Sequence, residues 1–357
     1  MKHSTTARSL DRLVEAGILA PDRAAELSRV AERYAIAVTP YLLDRILDAG
    51  EPLARQYLPS AAELATLPEE HGDPIGDRAH MPVDGIVHRY PDRVLLKLHH
   101  ACPVYCRFCF RREMVGPGGD ALDGAGLEAA LDYIRAHEEI WEVVLTGGDP
   151  LALSPRRLEG VIAALDGIGH LGVVRLHSRV PLADPARITP DLVRALKARD
   201  KAVWLAVHCN HPAELSPEAC RALALVADHG IPLLGQTVLL RGVNDDGQVL
   251  EALFRGLVRN RVKPYYLHHP DLAPGTAHFR VAIEEGQALL RRLRGRVSGL
   301  CQPTYVLDIP GGHGKAPVGP CYLSQSAEGV AEGVEVEDYR GNRHAYPPRP
   351  PSDAGGG

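Results

Sequence analysis

The chain has 357 residues, 45% of them hydrophobic and 24% charged, with a formal net charge of −5 at pH 7. That length suffices for a large α/β domain with an appendage and a sizeable buried core, and the composition excludes a disordered or fibrous chain. Arginines are scattered among balancing acids with no basic run, which excludes a nucleic-acid tract, and no stretch nears the roughly 20 apolar residues of a membrane span.

The opening MKHSTTARSLDRLVEAG lacks the apolar core of a signal peptide, so a cytoplasmic protein with no membrane or nucleic-acid partner is expected. Residues 1–80 read as a helical N-terminal extension. SLDRLVEAGIL and PDRAAELSRVAERYA carry helical spacing, and a Pro-rich stretch closes the segment near Met81. Over 81–330 the pattern changes to short, β-branched runs: VLLKL at 94–98, WEVVL at 141–145, VVRLHSR at 173–179, AVWLAV at 202–207, PLLGQTVLL at 232–240, KPYYLHH at 263–269 and PTYVLDI at 303–309. Amphipathic segments such as GLEAALDYIRAHEE, PDLVRALKARD, PEACRALALVADHG and AIEEGQALLRRLRG lie between them. Alternation of strand and helix implies a parallel sheet, because parallel strands need crossover connections. The expected class is α/β, a partial (β/α)6-type TIM barrel with its chemistry at the C-terminal ends of the strands. Residues 331–357, rich in Gly and Pro, read as an extended, partly disordered tail.

Seven cysteines is an odd number, and Cys102, Cys106 and Cys109 crowd into eight positions, poor geometry for a disulfide framework and good geometry for a metal. They follow the first strand in HHACPVYCRFCFRRE. Three thiolates on one loop hold three corners of a [4Fe-4S] cluster and leave the fourth iron open. The alternative is a structural zinc site completed by a remote ligand. The Cys-x3-Cys-x2-Cys spacing, with Phe108 before the last cysteine, resembles the radical S-adenosylmethionine superfamily motif. That resemblance implies an open iron that binds S-adenosylmethionine and delivers an electron to its sulfonium. Cys209, Cys220, Cys301 and Cys321 read as core or surface thiols.

Further along, Thr146-Gly147-Gly148-Asp149-Pro150 closes the next strand. Alone, a Gly-Gly pair is more often a turn; placed here it matches the superfamily's glycine element and suits the amino group of the methionyl cofactor. Asp308-Ile-Pro-Gly-Gly-His-Gly-Lys315 follows the last strand. The chain has six lysines, at 2, 97, 197, 201, 263 and 315, and one on a glycine loop suits an amine that takes and releases the aldehyde of pyridoxal 5'-phosphate. An ordinary loop lysine is the competing reading. In His88-Arg89-Tyr90-Pro91-Asp92-Arg93, two arginines flank an aromatic ring, a pattern that suits a phosphate and a stacked pyridine, or a solvated charge cluster.

From about residue 80 to Pro320 the chain resembles the lysine 2,3-aminomutase family in the order and spacing of HRYPDRVLLKLHHACPVYCRFCFRR, TGGDPL, HSRVP, HCNHP, GQTVLLRGVND, KPYYLHHPDLAPGTAHFR and LDIPGGHGKAPV. The resemblance implies a radical S-adenosylmethionine isomerase that also uses pyridoxal phosphate and converts lysine to β-lysine by 1,2-amino migration. Lys315 would carry the pyridoxal phosphate, Arg89 and Arg93 would hold its phosphate, and Tyr90 would stack near its ring. Arg111 would clamp the substrate carboxylate, while Asp271 and Asp308 would grip a distal ammonium; Gly147, Gly148, Asp149, His208 and Gln236 would surround S-adenosylmethionine. A buried ammonium needs negative partners to offset its desolvation, so the two aspartates favour a basic substrate over glutamate. An external flavodoxin- or ferredoxin-type reductant is implied.

Three departures from the family pattern stand out. His313 interrupts the glycine run, which predicts a stiffer loop. The long C-terminal region with zinc-binding cysteines is missing, as is a cysteine in GVNDD, so no zinc is expected and a homodimer replaces the family's tetramer. The short C-terminus with the CRFCFRR and GGDPL wording also resembles the branch that makes β-lysine for elongation factor P. A 2,3-aminomutase for another amino acid and a non-catalytic iron-sulfur electron-transfer protein complete the alternatives.

Overall fold

The computed structural model describes residues 3–116, 120–325 and 334–347. All seven predicted runs are strands of one nine-stranded sheet: β1 (Ile86–Tyr90), β2 (Arg93–His99), β3 (Glu142–Gly147), β4 (Val173–Ser178), β5 (Ala202–His208), β6 (Leu233–Val238), β7 (Val262–His268), β8 (Thr304–Asp308) and β9 (Lys315–Pro317), adjacent in chain order. Strands β2 to β8 are parallel, and β1 and β9 close the two edges in antiparallel register. The sheet is a curled half-barrel of the α/β class. β1 escaped the sequence reading because HRYPDR turns the chain back on itself: Tyr90 pairs with Arg93 across Pro91-Asp92.

Before the sheet come α1 (Leu10–Glu15), α2 (Pro21–Glu26), α3 (Ser28–Arg33), α4 (Pro40–Ala49) and α5 (Glu51–Tyr57); between the strands lie α6 (Gly124–Ala136), α7 (Pro155–Asp166), α8 (Val180–Ala183), α9 (Pro190–Ala195), α10 (Pro217–Asp228), α11 (Gly247–Arg259) and α12 (Ile283–Leu293). The helix α11 illustrates the local logic. Asp246 caps it by accepting from the N–H groups of Gln248 and Val249 at 2.8 and 3.1 Å, and Leu250, Leu253, Phe254 and Leu257 form its buried stripe. Among the described residues no helix is long and apolar enough to cross a membrane.

Side-chain alternation along the strands decides where the chemistry sits. Val94, Leu96 and Leu98 of β2, Val174 and Leu176 of β4, and Val203, Leu205 and Val207 of β5 join the core between sheet and helices. Their alternate neighbours therefore face the other side, and this inner face receives Lys97, His177 and His208. A second core, formed by Leu13, Val38, Leu42, Leu43, Leu53 and Tyr57, packs the N-terminal helices on Val104 of the cysteine loop and Ala183.

Within the expected tail, the described residues 334–347 form regular structure. β11 (Val334–Glu337) pairs with β10 (Leu323–Gln325) and with β12 (Arg343–Tyr346) in a small antiparallel sheet. The cause is a turn the Gly/Pro count hides. Asp338 accepts from the N–H groups of Arg340 and Asn342 at 2.8 and 2.9 Å, with Gly341 at φ 86°. The remainder of the expected tail, 348–357, lies outside the described residues.

Candidate active site

Buried charge fixes the loop that carries the three cysteines. Arg107 Nε lies 3.0 Å from each carboxylate oxygen of Glu63, its Nη2 lies 2.5 Å from Oε2, and Arg112 Nη2 meets that same oxygen. Arg107 also donates to the Ala35 carbonyl at 2.7 Å, while the N–H groups of Tyr105 and Arg107 donate to the carbonyls of Ala37 and Gln56, each at 2.9 Å. On the other side Arg179 Nη1 donates to Tyr57 Oη at 2.8 Å and to Glu214 Oε2 at 2.9 Å, with its guanidinium 5.2 Å from the Phe108 ring centre.

Cys102, Cys106 and Cys109 are free and half-buried. Burial raises all three thiols, Cys102 well above its ordinary value and Cys106 to about 12; Arg179 pulls Cys106 down, and Arg111 and Arg112 pull Cys109 down. Burial thus disfavours three thiolates here, and a bound metal would favour them. Among the described residues no three His, Cys, Asp and Glu side chains converge on a single metal ion. A cluster asks for a different arrangement, because each thiolate takes its own iron.

The glycine turn after β3 packs on this loop. The Gly148 N–H donates to the His99 carbonyl at 2.6 Å, and a Cβ at Gly148 would lie 2.0 Å from the Ala101 carbonyl oxygen. Asp149 faces inward as a brace: its carboxylate accepts from Ser178 Oγ, from the Arg179 N–H, each at 2.7 Å, and from the Leu151 N–H at 3.0 Å. These contacts explain the motif by the turn's fit against the cysteine loop, one step from the ligand contact expected of it.

Lys315 lies at the start of β9, with Asp308 at the end of β8. Its Nζ donates to Asp308 Oδ1 at 2.7 Å, and its backbone N–H donates to Tyr90 Oη at 2.7 Å. Gly311, Gly312 and Gly314 have φ of 84°, 85° and 87°, whereas His313 is exposed and has no positive φ. The histidine thus occupies the one position in the run that does not need glycine, and the loop keeps its shape. Asp308 Oδ2 lies 3.7 Å from His268 Nδ1. Burial pushes the Asp308 carboxyl up, but His268 and the Lys315 ammonium outweigh it and leave the group below its ordinary value. Asp271 is the opposite case. Burial and the neighbouring Asp308 charge push it up to about 8, and its Oδ1 is buried without a hydrogen-bond partner.

The expected phosphate and carboxylate ligands meet on a residue with no signal in the sequence. Arg89 Nη2 donates to Asp77 Oδ1 at 2.9 Å, and Arg111 donates to Asp77 Oδ2 from Nε at 3.1 Å and Nη2 at 2.8 Å. Asp77 follows an irregular stretch where no periodicity marks a buried position, so its role is visible only in three dimensions. Arg93 does not join this group: it is half-exposed, bonds Asp92 at 2.6 Å, and stacks 3.8 Å from the Tyr90 ring centre, where a pyridine was expected.

His208, at the end of β5, and Gln236, within β6, are register partners. Burial lowers His208 to about 3, and its Nε2 has no partner; the His177 ring lies 5.6 Å away with its own Nε2 unpartnered. Three inner-face groups went unread: His177, His268 and Lys97. HSRVP and KPYYLHH carried the two histidines, and a lysine inside VLLKL was the signal for the third.

Comparison with known proteins agrees with this arrangement. Residues 96–253 match the radical SAM superfamily and residues 290–349 the lysine-2,3-aminomutase C-terminal model. The chain is 45% identical to L-lysine 2,3-aminomutase of Clostridium subterminale over 83% of its own length and 71% of that protein. It is 36% identical to the Escherichia coli L-lysine 2,3-aminomutase, covering 80% and 83% of the two chains, and 36% identical to glutamate 2,3-aminomutase of Clostridioides difficile, covering 83% and 70%. An inner-face constellation of cysteine loop, glycine-loop lysine and paired aspartates on this scaffold, with these relatives, places the chain in the lysine 2,3-aminomutase family of radical S-adenosylmethionine enzymes, which are isomerases.

Proposed function

We propose that the protein isomerises L-lysine to β-lysine. Enzymes of this family use a [4Fe-4S] cluster, S-adenosylmethionine and pyridoxal 5'-phosphate. When bound, these groups supply a carbon radical and an electron-delocalising ring for 1,2-amino migration. The residues present fit them. Three free thiols on one loop suit the cluster, and the unpartnered, buried Nε of Arg89 and Nε2 of His208 are polar atoms awaiting a ligand. Lys315 would hold the pyridoxal phosphate, with Arg89 toward its phosphate; Arg93 would first have to leave the Tyr90 face for either to reach the cofactor. Arg111 would bind the substrate carboxylate, and Gly147, Gly148, Asp149, His208 and Gln236 would border S-adenosylmethionine.

The observation that carries the choice of lysine is the aspartate pair. Asp308 already holds an ammonium, that of Lys315, at 2.7 Å, and Asp271 presents a buried oxygen with no partner. Once Lys315 engages its cofactor, both carboxylates are available to a substrate ammonium. A glutamate side chain would meet the charged Asp308 there with no ammonium to offset it, which a desolvated site penalises. An electron donor of flavodoxin or ferredoxin type, a reducing cytoplasmic location and a homodimer complete the proposal. Free cluster thiols support the reducing location, and exposed Leu323 and Tyr346 on the small sheet supply apolar surface for a second copy.

The test is an anaerobic assay of reconstituted protein with dithionite, S-adenosylmethionine, pyridoxal phosphate and either L-lysine or L-glutamate, read by chiral chromatography. β-Lysine is expected, and Lys315→Ala should abolish it. β-Glutamate as the preferred product would refute the assignment.

A further inference from the structure

Lys97 sits in the middle of β2, between Leu96 and Leu98, which face the outer core. Alternation turns the lysine to the inner face, and it pairs in register with Thr146, one residue before the glycine turn. The residue is only 4% exposed, so its ammonium does not reach water along its stem as most lysines do. Its Nζ has one hydrogen-bond acceptor, the Met81 sulfur at 3.3 Å, a weak one. Burial is the largest influence on this amine and lowers its proton affinity; Asp77 opposes that, Arg111 adds to it, and Asp73 and Asp84 oppose it less.

The buried cations here are short of hydrogen-bond partners. Arg89 and Arg111 share Asp77 as their carboxylate, and Lys97 adds a third cation beside it. Asp73 and Asp84 add negative charge nearby, but their carboxylates bond backbone, Asp73 the N–H groups of Asp77 and Arg78 and Asp84 that of Gly85. Arg89 Nε is also buried without a partner. Buried cationic donors left idle in an interior are costly unless a polar or negative group meets them. The missing component is an anion.

We propose that Lys97 is an anion-binding residue of the active site, completing with Arg89 and Arg111 a receptor for a phosphate or carboxylate group. This rests on the reading of the site as a pyridoxal-phosphate-dependent aminomutase, which offers two such groups: the cofactor phosphate and the substrate α-carboxylate. Both are planar or tetrahedral oxyanions that an ammonium and two guanidinium forks hold together.

The experiment compares wild type with Lys97→Met, which removes the charge at similar length, and Lys97→Arg, which keeps it. Pyridoxal phosphate affinity is read by absorbance titration of the cofactor-free protein, and KM and kcat for L-lysine by steady-state assay of the reconstituted enzyme. Melting temperature and iron content monitor folding, and Lys97→Gln replaces Lys97→Met if the latter does not fold. A loss of about tenfold or more is expected in one of the two affinities, with Lys97→Arg closer to wild type. Weaker cofactor binding assigns the phosphate; a raised KM with unchanged kcat and cofactor affinity assigns the carboxylate. Both affinities within about twofold of wild type would overturn the role of Lys97 alone. A wild-type protein that neither binds pyridoxal phosphate nor turns over lysine would overturn the aminomutase reading, and the anion receptor with it.

Discussion

Two buried networks of charge lie on either side of the cysteine loop, and they differ in how completely they are paired. Outside it, the Glu63 carboxylate takes both Arg107 and Arg112, leaving only Arg112 Nε without a partner, and also accepts from the Ser60 N–H at 2.7 Å. Glu214 likewise takes Arg179 and the N–H groups of Asn210 and His211 at 2.7 and 2.8 Å. On the inner face, by contrast, Asp271, His177, His208 and Arg89 keep idle polar atoms, and Lys97 has a thioether for company. Satisfied buried charge holds a backbone in place, whereas unsatisfied buried charge at the strand ends marks where ligands complete the molecule.

The largest effect that separates the networks should come from Glu63→Gln. It leaves Arg107 and Arg112 buried without a counter-charge, and the expected cost is about 3–5 kcal/mol of stability. Thermal or urea unfolding measures it, and a stable variant with full iron content would break the comparison. Asp271→Asn should do the reverse. It removes a carboxyl that burial already disfavours, so the fold should keep or gain stability, while KM for L-lysine rises about tenfold or more.

The same aspartate sets a pH signature in the cofactor-free protein. Its folded carboxyl titrates at about 8 against an ordinary value of 3.8. Between those limits the folded state holds a proton that the unfolded state has released, so this group's contribution to stability is complete below the ordinary value and is lost as pH rises toward 8. Unfolding free energies at several pH values should therefore fall across that window in wild type and less steeply in Asp271→Asn. Equal slopes would mean that Asp271 is ionised and paired. At the smallest end, Arg194→Ala removes an exposed pair with Asp191 on α9 and should change stability by less than about 0.5 kcal/mol.

How much of this was legible in the sequence follows the same division. The seven parallel strands were readable because each carries an apolar face toward the helices, and the cysteine and lysine loops because their chemistry needs particular residues at fixed spacing. Asp308 and Asp271 were readable only through family resemblance. Asp77 and Glu63 were not, since each lies in a short irregular segment of the N-terminal region and finds its arginines 12 to 49 residues away in the chain. The small sheet was hidden because Gly341 and the prolines after it look like a tail, when the glycine makes the turn between β11 and β12.

The most direct measurement is a crystal structure of the reconstituted enzyme with pyridoxal phosphate, S-adenosylmethionine and L-lysine, grown without oxygen. The account predicts that Lys315 leaves Asp308, that the substrate ammonium takes its place against Asp308 and Asp271, and that the Glu63 and Glu214 networks stay as they are. A Lys315–Asp308 pair that persists in the complex, with the substrate ammonium elsewhere, would contradict it.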